Sequence, residues 1–269
     1  MSPELSAADV AAAHALALDL GAWAAERIRS YQVTDVATKA NPADLVTELD
    51  RSIERHVRDT VRLRFPDHAF VGEEYGGQSA PGRPTWYLDP VDGTTNLANG
   101  IPWVAFSLAL AVDDEPLVGV VADPWNHAVF DAVAGSGARR DGMPFTIPPR
   151  PALTGGVVGS ELAGHEAWSG MPELARALAS RFCTLRIMGS GTLTLLGPAA
   201  GRGAGAVIHR FSAVDHLAAC LIASEAGASV LGEDGRPTLF PRAGGILVAA
   251  PEVGAELSEL WDESLALQR

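Results

Sequence analysis

Three groups of acidic residues lie far apart in the sequence, each beside a segment that could hold it in place. Glu73 and Glu74 come directly after a short apolar run, Asp89 and Asp92 follow a second one, and Asp215 lies where a helix is expected to begin. Carboxylate oxygens are the ligands that hard cations such as Mg²⁺ prefer. If the fold brings these groups together, their residue types favour a divalent metal site.

The middle group indicates which chemistry such a site would perform. Asp89 and Asp92 are three residues apart, so one turn of the chain can direct both carboxylates into one site. Pro90 is expected to end the preceding strand, and a helix that begins at Gly93 would offer the free N–H groups of its first turn to an anion. Carboxylates beside an anion repel it unless a cation lies between them. The pattern therefore predicts metal-assisted chemistry on a phosphate ester.

Structural explanations are also open for each acidic group. The middle group could be an ordinary strand–turn–helix connection, and the first could be a solvent-exposed acidic pair. Ser212 with Asp215, and Thr47 with Asp50, fit the S/T-x-x-D pattern of a capping box at a helix start. Capping and metal binding do not exclude each other, so both interpretations of these residues are kept.

Three residues close to these groups receive mainly structural interpretations. Gly191 ends a Gly-Ser-Gly segment that is too short for a nucleotide fingerprint, and we expect this segment to begin a helix that faces the substrate. His216 is expected to be a solvated histidine at a helix start, with support of a metal ligand as the alternative. Cys220 is expected to be a small buried apolar residue.

The periodicity of apolar residues predicts an α+β first half. Helical spacing extends over about residues 5–31 and again over 49–61, and the second helix should end before Pro66. Strands, several of them antiparallel, are predicted at 69–71, 86–88, 104–112, 117–122 and 128–133. A turn-rich loop is predicted at 135–142.

The second half alternates strands with helices, which predicts an α/β layer. Strands are expected at 156–160, 184–188, 205–209 and 246–250, and helices at 172–180, 192–200, 213–226 and 252–268. The proline-rich segment that begins at Pro148 is the best candidate for a boundary. We therefore expect an N-terminal α+β domain at 1–148 and a C-terminal α/β domain at 149–269.

The composition argues against several classes of function. The chain has 33 acidic and 20 basic residues, a net charge of −13, which disfavours contact with nucleic acid or with anionic lipid. No apolar run approaches the roughly 18 residues of a membrane helix, and the first residues do not resemble a signal peptide. Two cysteines cannot form a disulfide framework. We expect a cytoplasmic protein that binds neither nucleic acid nor membrane.

The middle acidic segment resembles the signature of the inositol monophosphatase family of Mg²⁺-dependent, lithium-sensitive phosphatases. The resemblance is carried by Asp89-Pro90-Val91-Asp92-Gly93-Thr94-Thr95-Asn96. It extends, in the family's order and spacing, to residues 39–50, 65–74, 186–191 and 215–227. It implies an alternating α-β-α-β-α sandwich of the inositol monophosphatase and fructose-1,6-bisphosphatase type, a homodimer, and a small phosphorylated substrate.

The resemblance also implies which residues hold the metal ions. Glu73, Asp89 and the carbonyl group of Val91 would bind one Mg²⁺. Asp89, Asp92 and Asp215 would bind a second. A weaker third ion would use Glu73 together with water molecules. Crowded carboxylates raise one another's pKa unless cations neutralise them, which agrees with this ligand set.

The same resemblance assigns the groups that act on the substrate. Thr94 with Glu73 would orient the attacking water, and Asp50 would support the third ion without binding it directly. The N–H groups of Gly93 and Thr94 would hold the phosphate. The substrate side of the site would also include Asp92, Gly191, Arg210 and Asp215.

Two departures from the family pattern concern the substrate. Val214 stands where members often carry Trp, and Ile208 stands where inositol phosphatases often place an acid that binds a ring hydroxyl. Arg210 could bind a second anionic group or be a surface residue. Inositol 1-phosphate is the first candidate substrate, with histidinol phosphate, fructose 1,6-bisphosphate or a 3′-phosphonucleotide as alternatives. A different class of function is a regulatory partner of the transcription machinery.

Overall fold

The computed structural model describes residues 5–34, 36–38 and 45–267. Residues 39–44, which carry part of the family resemblance, lie outside the described residues. Among those residues, the helices are α1 (Ala7–Ser30), α2 (Glu48–Arg64), α3 (Thr94–Ala98), α4 (Met171–Ala179), α5 (Gly191–Leu196), α6 (Ala213–Glu225) and α7 (Pro251–Ala266). The long helices predicted in both halves are therefore confirmed to within a few residues at each end.

A short antiparallel strand pair and a mixed seven-stranded sheet make up the strands of the first half. The pair consists of β1 (Val36–Thr38) and β2 (Leu45–Thr47). The sheet contains, in spatial order, β3 (Ala69–Gly72), β4 (Thr85–Asp92), β5 (Ala105–Val112), β6 (Glu115–Asp123), β7 (Ala128–Val133), β8 (Ala138–Arg140) and β9 (Met143–Phe145). Only the pair β3–β4 is parallel, and the later strands follow one another through antiparallel turns.

Both faces of the seven-stranded sheet are covered, because successive residues of β4 and β5 point to opposite sides. Trp86 and Leu88 pack with α1 and α2 in one apolar core. Tyr87 and Ala109 lie in a second core that includes the buried side of α6. This alternation explains why β4 is almost completely buried and places Asp89 on the same side as α6.

The second sheet stacks on the other side of α5 and α6. Its spatial order is β11 (Thr184–Ile187), β10 (Val157–Ser160), β12 (Gly205–Ile208), β14 (Ile246–Ala249) and β13 (Ser229–Gly232). The first three strands are parallel. Leu193, Leu217 and Ile208 lie in the core shared with the first sheet, whereas α4 and α7 cover the outer face. The layers therefore follow the α-β-α-β-α order that was expected.

Several predicted details of the strands are wrong. Residues 135–142 contain strand β8, not only a loop, and the guanidinium group of Arg140 lies over the Phe130 ring. Pro90 does not end β4, because the strand continues to Asp92 through a register shift between Asp89 and Asp92. Strands β1, β2, β9 and β13 were not predicted. Helix α5 ends at Leu196, four residues earlier than expected.

The proposed boundary at 148/149 remains a prediction. It lies between the last strand of the first sheet and the first strand of the second. However, α6 belongs to the second half of the chain and packs against the first sheet. We keep the two-domain division as a proposal about chain organisation.

None of the helices in the described residues is long and apolar enough to cross a membrane. The cytoplasmic location predicted from the sequence stays a prediction.

Candidate active site

The bulge in β4 places two carboxylates at the end of the first sheet. Asp89 pairs with Ser107 of β5, and after the shift Asp92 pairs with Ala105. The N–H group of Val91 donates to Oδ1 of Asp89 at 3.0 Å, which fixes the turn of the chain between the two aspartates. Asp89 is only 3% exposed, so its carboxylate is held in an environment that penalises a negative charge.

Acidic residues from three separate segments surround Asp89. Burial raises its pKa well above the usual range, and the nearby carboxylates of Glu73, Asp92 and Asp215 raise that pKa further. Such crowding is unfavourable unless protons or cations neutralise part of the charge. The carboxylates of Asp89 and Asp215 therefore interact electrostatically, although these residues are more than a hundred positions apart in the sequence.

The donor set fits a hard divalent cation in chemistry, although its side chains are not yet arranged around one. Within residues 5–34, 36–38 and 45–267, no three His, Cys, Asp or Glu side chains form a ready metal-binding group. Asp92 shows one reason, because its Oδ2 accepts hydrogen bonds from Ser190 Oγ and from the Thr192 N–H group, both at 2.6 Å. The residues of the acidic cluster offer only oxygen atoms, which are the ligands that Mg²⁺ prefers.

The start of α5 is anchored to the acidic cluster. Ser190 is the N-cap of this helix, and its hydroxyl group also accepts a hydrogen bond from the Leu193 N–H group. Thr192 donates through its hydroxyl group to the carbonyl oxygen of Asp215 at 2.6 Å. The Gly-Ser-Gly segment therefore begins a helix, as predicted, and this helix connects Asp92 with Asp215.

Asp215 lies in the first turn of α6, but the capping box predicted with Ser212 is wrong. The Ser212 side chain makes no capping hydrogen bond, and its N–H group instead donates to Nδ1 of His216 at 2.9 Å. Because Nδ1 accepts, the proton of the neutral ring is on Nε2. A Cβ atom on Gly191 would lie 2.6 Å from that Nε2. Glycine therefore lets the chain at residue 191 approach the His216 ring closely.

His216 is buried rather than solvated, which corrects the preferred interpretation of the sequence. It is 5% exposed, and burial lowers its pKa from 6.5 to about 3. The ring is therefore neutral over the working range of most enzymes. Cys220, one turn further along α6, is fully buried as expected, and burial raises the pKa of its thiol.

Gly93 forms the junction between β4 and α3. Its φ of +97° is in the left-handed region that only glycine adopts readily. A Cβ atom at this position would lie 2.9 Å from the carbonyl oxygens of both Gly189 and Trp103. The backbone of the first turn of α3 is thus held close to the segment that leads into α5.

Thr94 connects the β4 bulge to α2. Its Oγ1 lies 2.7 Å from Oδ1 of Asp50 and 2.9 Å from the carbonyl oxygen of Val91. Oδ2 of Asp50 accepts from the N–H and hydroxyl groups of Thr47, so the capping box predicted at this helix is confirmed. Asp50 is fully buried, and this burial raises its pKa despite the hydrogen bonds.

Glu54 supports the loop that carries Glu73, and the sequence interpretation missed it. Its buried carboxylate accepts from the N–H groups of Glu74 at 2.7 Å and Tyr75 at 3.1 Å. Arg58 neutralises it at 2.6 Å and also donates to the carbonyl oxygen of Gly76. The signal was a Glu on the apolar face of an amphipathic helix, four residues before an Arg.

Glu161 is a second acidic residue that the sequence interpretation missed. It follows β10, and its carboxylate accepts from the Gly189 N–H group at 2.9 Å and from the Thr194 hydroxyl group at 2.6 Å. Burial raises its pKa, and the charge of Asp92 adds to that shift. Only its place after a predicted strand could have indicated it.

The residues expected on the substrate side lie near the ends of β12 and α5. Ile208, the last residue of β12, is 5% exposed and offers no polar atom, whereas Arg210 is exposed in the connection to α6. Two cavities, of about 300 and 390 Å³, lie elsewhere on the molecule. Neither is lined by a residue of the acidic cluster, so cavity size does not locate this site.

Comparison with known proteins gives a consistent assignment. The model of the inositol monophosphatase family matches residues 6–265. An inositol monophosphatase of Mesembryanthemum crystallinum is 31% identical over 82% of this chain and 86% of its own length. The Nus factor SuhB of Pasteurella multocida is 31% identical over 80% of this chain and 81% of its own.

Solved structures agree with these relatives. An IMPase of Thermotoga maritima superposes with a TM-score of 0.86 at 25% identity, over 95% of this chain and 98% of that one. The family match extends over nearly the whole chain and includes every segment that carries the acidic cluster. The chain therefore belongs to the inositol monophosphatase family, whose members are metal-dependent phosphoric monoester hydrolases that act on small phosphorylated substrates.

Proposed function

We propose that this protein is a Mg²⁺-dependent phosphatase that hydrolyses a small polyol phosphate, with inositol 1-phosphate as the first substrate to test. The observation that carries the proposal is the group of Glu73, Asp92 and Asp215 around the buried Asp89. A bound divalent cation would neutralise part of this concentrated negative charge and would supply the positive charge that chemistry on a phosphate ester uses. Carboxylates that hold divalent cations suit a phosphate ester as the substrate, because the cations offset the negative charge of both groups.

The proposed metal ligands are those that the family resemblance implies. Glu73, Asp89 and the carbonyl oxygen of Val91 would hold one ion, and Asp89, Asp92 and Asp215 would hold a second. A third, weaker position uses Glu73 with water. Divalent ions bound there supply Lewis acidity, which activates water and stabilises the leaving alkoxide.

The protein's own groups position the water and the phosphate. The hydroxyl proton of Thr94 has two acceptors within reach, Asp50 and the Val91 carbonyl, so the lone pairs of its oxygen remain able to accept a hydrogen bond. Together with Glu73, this oxygen would accept a hydrogen bond from the attacking water and so fix its direction. The N–H groups of Gly93 and Thr94 bind phosphate oxygens, which fits an anion at the start of a helix.

The hydroxyl group of Thr94 has a testable effect. We expect Thr94→Ala to lower phosphate release by about 10–100-fold, as loss of a supporting hydrogen bond around a metal site typically does. Asp50→Asn should cause a loss of similar size, because it removes the charge that orients this hydroxyl group. Thr94→Ser keeps the oxygen and should be much milder. Steady-state kinetics in saturating Mg²⁺ measure all three, and equal damage in Thr94→Ser and Thr94→Ala would refute the role of the hydroxyl group.

Mg²⁺ should stabilise the folded protein, since the ion relieves repulsion that exists only in the native cluster. At a Mg²⁺ concentration 100 times Kd, we expect about 2.7 kcal/mol of added stability per site, seen as a higher melting temperature. Phosphate release from inositol 1-phosphate should disappear in EDTA and return with Mg²⁺. The family resemblance also predicts that Li⁺ inhibits phosphate release. Absence of both the thermal shift and the EDTA effect would reject a metal-dependent phosphatase.

Other substrates and a different role are tested by the same preparation. Histidinol phosphate, fructose 1,6-bisphosphate and a 3′-phosphonucleotide belong in the substrate panel, and Arg210→Ala should raise KM only for substrates with a second anionic group.

The name of the Pasteurella relative, a Nus factor, supports a regulatory partner of the transcription machinery as the second candidate. A variant without phosphatase activity that still acted as a partner of the transcription machinery in the cell would favour this second candidate. A homodimer stays a prediction, which a mass measurement in solution would test.

A further inference from the structure

The parallel strands of the second sheet end together beside the acidic cluster. In their register, Ser160 of β10 is opposite Val207 of β12 and opposite Ile187 of β11. One residue further along the chain, the same register would bring Glu161 beside Ile208 on one side and beside Met188 on the other. Carboxyl ends of parallel strands are where open α/β sheets bind ligands.

Glu161 and Ile208 also share one face of this sheet. A Cβ atom on Gly159 would contact the Thr194 side chain of α5, and Glu161, two residues later, hydrogen-bonds to the same side chain. Ile208 packs in the core that contains α5 and α6. Ile208, at the end of β12, is not an acid, but the neighbouring strand β10 is followed directly by one, Glu161.

The carboxylate of Glu161 is oriented but not saturated. Its Oε2 accepts from the Gly189 N–H group at 2.9 Å and its Oε1 from the Thr194 hydroxyl group at 2.6 Å. The Met188 N–H group also interacts with this carboxylate, and since a carboxylate offers about four acceptor positions, roughly one remains for a ligand. Its side chain is half-buried, and two adjacent residues link it to the acidic cluster, because Gly189 hydrogen-bonds to Glu161 and Ser190 to Asp92. A substrate held at Asp92 would therefore have this acceptor within its surroundings.

We propose that Glu161 recognises hydrogen-bond donors on the alcohol part of the substrate, in place of the acid that Ile208 does not provide. The inference rests on the proposed phosphatase function and specifies its substrate class. The donor is either a hydroxyl group of a polyol or the ammonium group of an amino alcohol. An alkyl phosphate with no donor gains nothing from Glu161, because a site discriminates through the polar partners that it offers.

A purely structural role makes a different prediction. If Glu161 only braced the start of α5 through Gly189 and Thr194, its loss would displace Asp92 and slow every substrate by the same factor. The decisive quantity is therefore a ratio of kcat/KM values, that for inositol 1-phosphate divided by that for propyl phosphate. A bracing role leaves this ratio unchanged.

Glu161→Gln is the main variant, since it keeps the size of the side chain and removes its charge. We expect the ratio to fall by about 10–100-fold, the range for a hydrogen bond to a charged group. Thr194→Val is the matched control, because it removes one internal partner of Glu161 and leaves the acid in place; its ratio should fall less. An equal loss on both substrates in Glu161→Gln would overturn the inference.

Further arms identify the donor and separate the possible failures. A larger loss with phosphoethanolamine than with inositol 1-phosphate assigns an ammonium group, and the reverse assigns hydroxyl groups. If Glu161→Gln does not fold, Glu161→Asp is judged by the same ratio. A parent enzyme that releases no phosphate in Mg²⁺ from any of these substrates would refute the proposed function. An active parent with an unchanged ratio in the variant would refute only the role of Glu161.

Discussion

Asp92→Asn should lower phosphate release by about 10²–10⁴-fold, which corresponds to several kcal/mol of lost transition-state stabilisation at the metal site. The substitution keeps the size of the side chain and removes one of the proposed ligand charges. The fold should survive, because the amide oxygen of Asn can still accept from Ser190 and from the Thr192 N–H group. Removing one of the crowded carboxylates also relieves repulsion in the metal-free protein.

Glu115→Gln is the matched control for this variant. It removes the same charge from an exposed position that pairs with Val112, at the far end of β5 from the partner of Asp92. Its activity and melting temperature should stay close to those of the parent. For Asp92→Asn, turnover near the parental value in saturating Mg²⁺ would contradict the metal assignment. A thermal shift with Mg²⁺ as large as that of the parent would contradict it independently of turnover.

Much of the fold and of the acidic cluster could be predicted, because both depend on patterns that are local in the sequence. The apolar periodicity of α1 and α2 and the alternating runs of the first sheet gave the elements to within a few residues. Asp89 and Asp92 stand out because residue types and spacing alone suggest a shared site. Asp50 was found as a capping residue, and the structure adds that it also contacts Thr94.

What could not be predicted depends on partners that are distant in the sequence. Glu54 braces a loop 20 residues away, and Glu161 contacts Gly189, which is 28 residues away. His216 is buried because Gly191 leaves room for its ring, a relation that neither residue shows alone. The bulge at Pro90 was missed since proline usually ends a strand, whereas here the register shift accommodates it.

Gly93→Ala is expected to damage both stability and activity. The left-handed backbone alone costs an alanine roughly 1–2 kcal/mol. The added Cβ atom would also lie 2.9 Å from two carbonyl oxygens, so the chain around Gly189 or Trp103 must shift. We expect a loss of more than about 2 kcal/mol in the free energy of unfolding, since crowding adds to the backbone cost. Activity should fall further than this loss of stability explains, because the N–H groups proposed to bind phosphate would move with the backbone.

Gly100→Ala is the control that separates the two causes. Gly100 also has a positive φ, of +71°, but a Cβ atom there would meet no atom within 4 Å. It should therefore show only the backbone cost of about 1–2 kcal/mol, with kcat close to that of the parent at a temperature where both are folded. Urea unfolding and steady-state kinetics on the two variants make the comparison. Equal losses of stability and activity in the two variants would mean that the close approach of Gly93 to Gly189 and Trp103 does not shape the site.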